Sequence, residues 1–176
     1  MTRARRLLLL CIVVAGGAQT WRLVRSSADR LPTAAAGMLA VQWRGSHRGA
    51  AVVPARVNWC PVNRTGVLEA IAGDTGVAIV LYEANALTRG PHAVVMPGVP
   101  SVLPRPGASA VMRWPKDSSA LLAFASQSGL VDVRSAPKVL SGTLSIRMRA
   151  ASGSDSLMLT GNFTDVPVVA MAVGCP

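Results

Sequence analysis

The chain has 176 residues, which is enough for one domain with a leader and too few for two large domains. Hydrophobic residues make up 51% of it and charged residues 15%, which excludes a chain that is disordered throughout. The formal net charge is +10, but six of the 18 Lys and Arg residues lie near the N-terminus and the rest are scattered singly, so we expect no nucleic acid as a partner.

The N-terminus has the layout of a secretory signal peptide. Three arginines lie within Met1–Arg6, and the apolar run Leu7–Ala18 follows and ends in small residues. We therefore predict a signal-peptide helix over residues 1–18, a mature chain that begins near Gln19, and a secreted or periplasmic location. The alternative is an uncleaved leader that anchors the chain in the inner membrane through residues 7–24, although a span needs about twenty apolar residues. This anchor is the only membrane contact that we expect.

Two regions of different composition follow the leader. Residues 19–50 are rich in Ser, Ala, Gly and Arg and are predicted to be a flexible spacer, in which Met38–Trp43 fits a short strand or a helix. Residues 51–176 contain short β-branched and apolar runs separated by Gly, Pro, Asn and Asp. This spacing predicts an all-β domain, an antiparallel β-sandwich, with a small, partly open β-barrel as the alternative.

Two hairpins are predicted most clearly. One joins two strands through Gly73-Asp74-Thr75; the other joins two C-terminal strands in which apolar and polar residues alternate. Arg89–Gly107 holds five prolines and is predicted to be a surface connection, with Ala93–Val95 pairing briefly at an edge. The predicted strands are Ala51–Trp59, Gly66–Ala72, Gly76–Tyr82, Ala108–Trp114, Leu121–Ala125, Leu130–Arg134, Val139–Arg149 and Leu157–Thr164.

The cysteines predict one disulfide and no metal site. Cys11 is lost with the leader, which leaves Cys60 and Cys175 as a pair in an exported chain. A structural zinc site needs four ligands, and the chain has only two histidines, His47 and His92, to add to the two thiols.

No complete catalytic set is found. Asp74-Thr75-Gly76 resembles the Asp-Thr-Gly loop of aspartic proteases, but that chemistry uses two such aspartates and no second copy is present, so we expect a hairpin turn. Glu69 and Glu83 fall on neighbouring predicted strands, where charged residues by default face solvent, and His92 is expected to be a solvated loop residue. We therefore predict a protein that is not an enzyme and has no cofactor.

Tryptophan supplies the candidate binding residues. Trp59, beside Cys60, is expected in the core. Trp114, between Arg113 and a proline, is expected to be exposed, and an exposed indole can stack on a flat ligand. Trp114 and Arg113 are therefore the predicted binding residues.

The leader, the Trp59-Cys60 pair, the Gly73–Gly76 turn and the hairpin of Ser141–Leu144 with Gly161–Phe163 together resemble small exported bacterial β-sandwich domains of unknown function. The resemblance implies a binding or structural module of the cell envelope and brings no catalytic residue. Its partner would be an envelope component or a small ligand. The alternatives are a hydrolase that uses Asp74 and a membrane-anchored scaffold that retains its leader.

Overall fold

A computed structural model describes residues 32–98, 105–115, 121–135, 138–171 and 175. The predicted signal helix and the alternative anchor lie outside these residues. Within them, no helix is long and apolar enough to cross a membrane.

The described chain is built of strands, which confirms the prediction of an all-β fold. It contains β1 (Met38–Gly45), β2 (Gly49–Pro54), β3 (Arg56–Cys60), β4 (Thr65–Ala72), β5 (Thr75–Tyr82), β6 (Gly90–Val94), β7 (Gly107–Pro115), β8 (Leu121–Ser135), β9 (Val139–Ala150) and β10 (Ser156–Ala170). They form one ten-stranded sheet in the order β2-β1-β10-β3-β4-β5-β7-β6-β8-β9, with additional pairs β10–β9 and β7–β8. All pairs are antiparallel except β10–β3 and β6–β7.

Strand β10 closes the sheet on itself. One of its edges pairs with β9 over Ser156–Pro167. Its other edge pairs first with β1 and then, through Val168–Ala170, with β3. Since β3 is connected by successive pairings through β4, β5, β7 and β8 to β9, the pairings form a closed ring.

Both predicted hairpins are confirmed. In β9 and β10 the alternating apolar side chains are buried, as Ile146 and Leu159 show at a paired position. In β4 and β5 the chain reverses at Gly73, whose φ of 58° is a conformation that glycine adopts without steric cost. β5 lies between β4 and β7, and this central place agrees with the run Val77–Leu81, which is apolar on both faces of the strand.

Two strand boundaries differ from the prediction. The run predicted as one strand, Ala51–Trp59, is divided into β2 and β3 at Ala55, because Pro54 has no N–H to continue the ladder. The two strands predicted at Leu121–Ala125 and Leu130–Arg134 are the two ends of one 15-residue strand, β8, with a bulge between Ser126 and Ser128.

The strand within the proline-rich range Arg89–Gly107 pairs differently from the prediction. Ala93 and Val94 belong to β6, which pairs with β8 along its length and with β7 at its end, so that β6 is inserted between two strands rather than added at an edge. The reason is that β7 and β8 pair with each other only over residues 111–115 and 121–125 and then leave room for a strand between them.

The sheet begins before residue 51. Met38–Trp43, which fits strand or helix by sequence, is strand in β1, within the range predicted as spacer. Leu39, Val41 and Trp43 are buried in the core, because β1 pairs with β10 on one edge and with β2 on the other.

The predicted disulfide between Cys60 and Cys175 is present, with 5.7 Å between the Cα atoms. It joins the end of β3 to the chain beyond β10, beside the hydrogen bond that Met171 N donates to Trp59 O. The covalent bond thus secures the shortest pairing of the ring.

Candidate binding groove

An open groove of about 390 Å³ crosses the outer face of β4, β5, β7 and β8. We call it the outer groove. Among the described residues that line it, Arg113 is the only charged one. The lining residues are Ile71, Gly76, Val77, Ala78, Val111, Met112, Arg113, Ala123, Phe124, Ala125 and Ala151.

The outer groove exists because solvent-facing positions of four strands carry small or apolar residues. On β5, β7 and β8 the inward positions Ile79, Met112 and Phe124 are buried, and the alternate positions face outward. An antiparallel sheet with one wet face ordinarily has polar residues there. Here Ile71 and Val111 keep 51% and 46% of their surface exposed, on the outer face that bears the groove.

Two further arginines lie beside the outer groove. Arg113 is paired with Gly76 on one side and with Ala123 on the other, so its side chain rises from within the groove. Arg149 of β9 is paired with Ala125, and Arg147 lies two residues before it on the same face. All three are exposed, and none of the ion pairs found among the described residues includes them. The groove therefore combines an apolar floor with positive charge.

The two predicted binding residues lie on opposite faces of β7. Arg113 lines the outer groove, whereas Trp114 does not. Trp114 is half-buried and packs against the core, with its ring stacked on Phe124 at 5.2 Å between centroids and tilted against Trp43 at 5.4 Å. Trp59 is partly buried against the same core, as expected.

His47 lies at the open side of this aromatic cluster. Its ring contacts Trp114 and Phe124 edge-on, with centroids 5.8 Å and 6.1 Å away. Its Nε2 lies 3.3 Å from Asp155 Oδ2, in the β9–β10 connection. The imidazole and the carboxylate thus hold the turn after β1 against the last hairpin.

The prediction that His92 is a solvated loop residue is wrong. His92 and Glu83 are both fully buried, with 2.8 Å between His92 Nε2 and Glu83 Oε1. The error has a physical cause: His92 lies on β6, which is enclosed between β7 and β8, so its side chain needs a polar partner inside the fold. Glu83 directly follows β5 and is this polar partner. It is therefore buried, and the prediction that it faces solvent is wrong.

The pair is part of a saturated hydrogen-bond network. Thr88 donates its N–H to Glu83 Oε1 and its hydroxyl to Oε2. His92 Nδ1 lies 3.0 Å from Gly90 O, so each ring nitrogen faces an oxygen inside the fold. Burial raises the pKa of Glu83, but the hydrogen bonds from His92 and Thr88 outweigh it and hold that pKa below its ordinary value. The network anchors the loop after β5 and has no opening to a substrate.

The remaining acidic candidates are not brought together. Glu69 lies on the outer face of β4, where Arg56 Nη2 is 3.0 Å from its Oε2 and Asn58 also donates to it. Asp74 is exposed in the β4–β5 turn that the sequence predicts. Within the described residues, no group of three or more His, Cys, Asp or Glu side chains is arranged to hold a metal ion.

Comparisons with protein-family models, with curated proteins and with solved structures found no match for this chain. The argument for a function therefore depends on the geometry above.

The sequence did contain a signal for the outer groove. Ala78, Val111, Ala123 and Ala125 occupy the alternate positions of predicted strands that a solvated sheet fills with polar residues. An apolar second face on β5 is also what a central strand has, so by itself it does not indicate a groove. The sequence predicts Arg113 as a binding residue only through its neighbour Trp114, because the groove forms from strands that are distant in the chain.

Proposed function

We propose that this chain is an exported binding module of the cell envelope, not an enzyme, and that it takes its ligand in the outer groove. The observation that carries the proposal is a continuous apolar lining at solvent-facing positions of the sheet. Exposed apolar patches on soluble proteins are characteristic of interaction sites. A groove of about 390 Å³ lies within the range of small-molecule sites.

The location and the layer arrangement are part of the same proposal. The disulfide is compatible with an oxidising compartment, and the N-terminal sequence with export. Inward side chains of β1, β9 and β10 share one core with those of β4, β5 and β7, which supports an antiparallel β-sandwich. We propose a secreted or periplasmic protein, so N-terminal sequencing of the chain from its native host should find a start near Gln19. An intact Met1 would instead favour an anchored scaffold.

Binding is tested by titrating the folded protein with Nile red, a neutral apolar dye whose fluorescence rises when it leaves water. We expect saturable binding that Ala125→Phe weakens at least tenfold, because the added ring fills the groove. Ser145→Phe is the matched control: it adds a similar ring on the exposed face of β9, outside the lining, and should leave binding unchanged.

Two outcomes would contradict the proposal: no saturable binding, or equal loss in both variants. Ala123→Phe, at a more exposed lining position, repeats the test should Ala125→Phe fold poorly by circular dichroism. Asp74→Ala should bind dye as the unaltered protein does, whereas loss of all binding on that change would favour a site built around Asp74.

A further inference from the structure

We propose that the ligand of the outer groove is a single-chain amphiphile with an anionic head, a carboxylate or a phosphate on one alkyl chain, bound as a monomer. This inference rests on the proposed function and names the ligand class. It depends on two independent observations: the apolar lining, and the exposed arginines placed around it.

The arginines define where the head group binds. Arg113 and Arg149 are on the strands on either side of β8, and Ala123 and Ala125 of β8 lie between them on the same face. Two strand spacings separate β7 from β9, about 10 Å, a distance that two long guanidinium side chains bridge from opposite sides. A guanidinium donates paired N–H groups that match the two oxygens of a carboxylate or phosphate. Arg147 adds a third positive charge at this end.

The apolar tail extends away from Arg149 and passes beside Arg113, which lies two residues from Val111 on the same face of β7. From Ala125 the groove continues across Val111 and Ala78 to Ile71 on β4. Val111 and Ile71 are the two large side chains of the lining with about half of their surface exposed, and an alkyl chain laid between them would cover both. Burial of apolar surface is the driving force that this part of the site offers.

An acidic peptide would match the positive charge of the three arginines but not the apolar floor of the outer groove. At the groove, β5 and β7 are each paired on both edges, so neither offers a free backbone edge to an added strand. A peptide lying across Ala78 and Ala125 would press its own N–H and C=O groups against apolar side chains. An alkyl chain has no such groups to satisfy.

A second copy of the chain is also disfavoured as the occupant. A two-fold contact centred on the groove would bring Arg113, Arg147 and Arg149 of both copies into one interface. Like charges placed face to face oppose association. A monomeric anion neutralises these charges instead.

The test is calorimetric titration with matched dodecyl probes below their micelle concentrations: dodecanoate, dodecyl phosphate, dodecanol and dodecyltrimethylammonium. We expect the two anions to bind at least tenfold more tightly than the other two, with an affinity that falls as salt increases. Lengthening the carboxylate from octanoate to dodecanoate should strengthen binding about two- to fourfold per methylene.

Charge variants identify the head-group site. Arg113→Gln with Arg149→Gln should remove the preference for the two anionic probes over dodecanol and dodecyltrimethylammonium. Arg134→Gln is the control, since Arg134 is equally exposed on β8 but lies beside Asp132 and outside the groove.

The outcomes separate the two proposals. If the anionic, neutral and cationic probes bind equally and Ala125→Phe still weakens Nile red binding, the proposed ligand class is wrong and the proposed binding function is retained. Loss of dye binding as well overturns both. Binding to anionic phospholipid vesicles without binding to dissolved dodecanoate assigns the face to a membrane surface, and a dimer abolished by Ala125→Phe assigns it to a second copy; either result overturns the inference.

Discussion

At the scale of single residues, the buried Glu83–His92 pair is the strongest electrostatic feature of the fold. Neither side chain reaches solvent, and every polar atom of the pair has a partner within the chain. A buried ion pair adds little stability compared with apolar residues of the same shape, but removing one partner leaves a charge without compensation. The pair therefore holds β6 and the loop after β5 in one arrangement.

Replacing Glu83 by Gln should lower the free energy of unfolding by about 3 kcal/mol, because it removes one partner of a buried pair and the carboxylate that accepts from Thr88. Glu69→Gln is the matched control: it removes the carboxylate from an ion pair with Arg56 that is open to solvent, and should cost less than about 1 kcal/mol. Urea denaturation followed by circular dichroism measures both. An equal loss of unfolding free energy in the two variants would show that burial of the Glu83–His92 pair does not increase the cost of removing one partner.

The unaltered protein and Glu83→Gln also test the direction in which stability changes with pH. Because the pKa of Glu83 is lowered in the folded state, its charge stabilises the fold fully above its ordinary value of 4.5, and this contribution is lost as the pH falls through the lowered pKa. The difference in unfolding free energy between the unaltered protein and Glu83→Gln should thus shrink as the pH falls below 4.5. A difference that grows in acid would contradict the assignment.

At the scale of elements, β8 shows what local sequence does and does not predict. The alternation of Leu121–Ala125 and Leu130–Arg134 predicts both ends of the strand, but the polar run between them is typical of a turn. The chain continues because β9 pairs with β8 along its length and a bulge absorbs the extra residue. These partners come from other parts of the chain, so no local pattern could report them.

The hydrogen bonds of Ser126 allow the polar middle of β8 to lie inside the fold. Its buried Oγ accepts a hydrogen bond from Ala110 N at 2.9 Å and donates one to Val95 O at 2.6 Å, and so connects β8 to β7 and to the residue after β6.

Ser126→Ala should lower stability by about 1 to 3 kcal/mol, because it leaves two buried backbone groups without a partner. Ser145→Ala, on the exposed face of β9, should stay within about 0.5 kcal/mol of the unaltered protein. Denaturation midpoints measure both changes, and hydrogen exchange at the Ala110 amide locates the effect. A protected Ala110 amide in Ser126→Ala would show that another group had taken the place of the hydroxyl.

The candidate site could likewise be predicted only in part. The residues next to Arg113 indicate it as a binding residue, and the apolar outer positions of β5, β7 and β8 can be read from the sequence. That Arg149 lies opposite Ala125 follows from the register of β8 with β9, which only the assembled sheet fixes. The Glu83–His92 contact, between a loop and a strand enclosed by two others, had no sequence signal at all.

At the scale of the whole molecule, the Cys60–Cys175 bond closes a loop with a separation of 115 residues. It spans nearly the whole sheet, from the end of β3 to the chain beyond β10. In the chain-entropy account, a cross-link over so long a loop stabilises the fold by restricting the unfolded chain.

The double variant Cys60→Ser and Cys175→Ser should lose about 4 to 5 kcal/mol of stability. Urea denaturation with and without dithiothreitol measures this loss: reductant should lower the midpoint of the unaltered protein to that of the variant and leave the variant itself unchanged. A reductant-insensitive midpoint in the unaltered protein would mean that the bond is not formed.

The position of β10 has a consequence for how the protein is made. β10 is the last of the ten described strands to be synthesised, yet it pairs with β1, β3 and β9. One edge of β1 therefore stays unpaired, and the ring stays open, until translation has passed residue 170. Contacts between residues so distant in sequence also form slowly. If the chain is exported as we propose, it would complete this sheet only after crossing the membrane, where its cysteines can be oxidised.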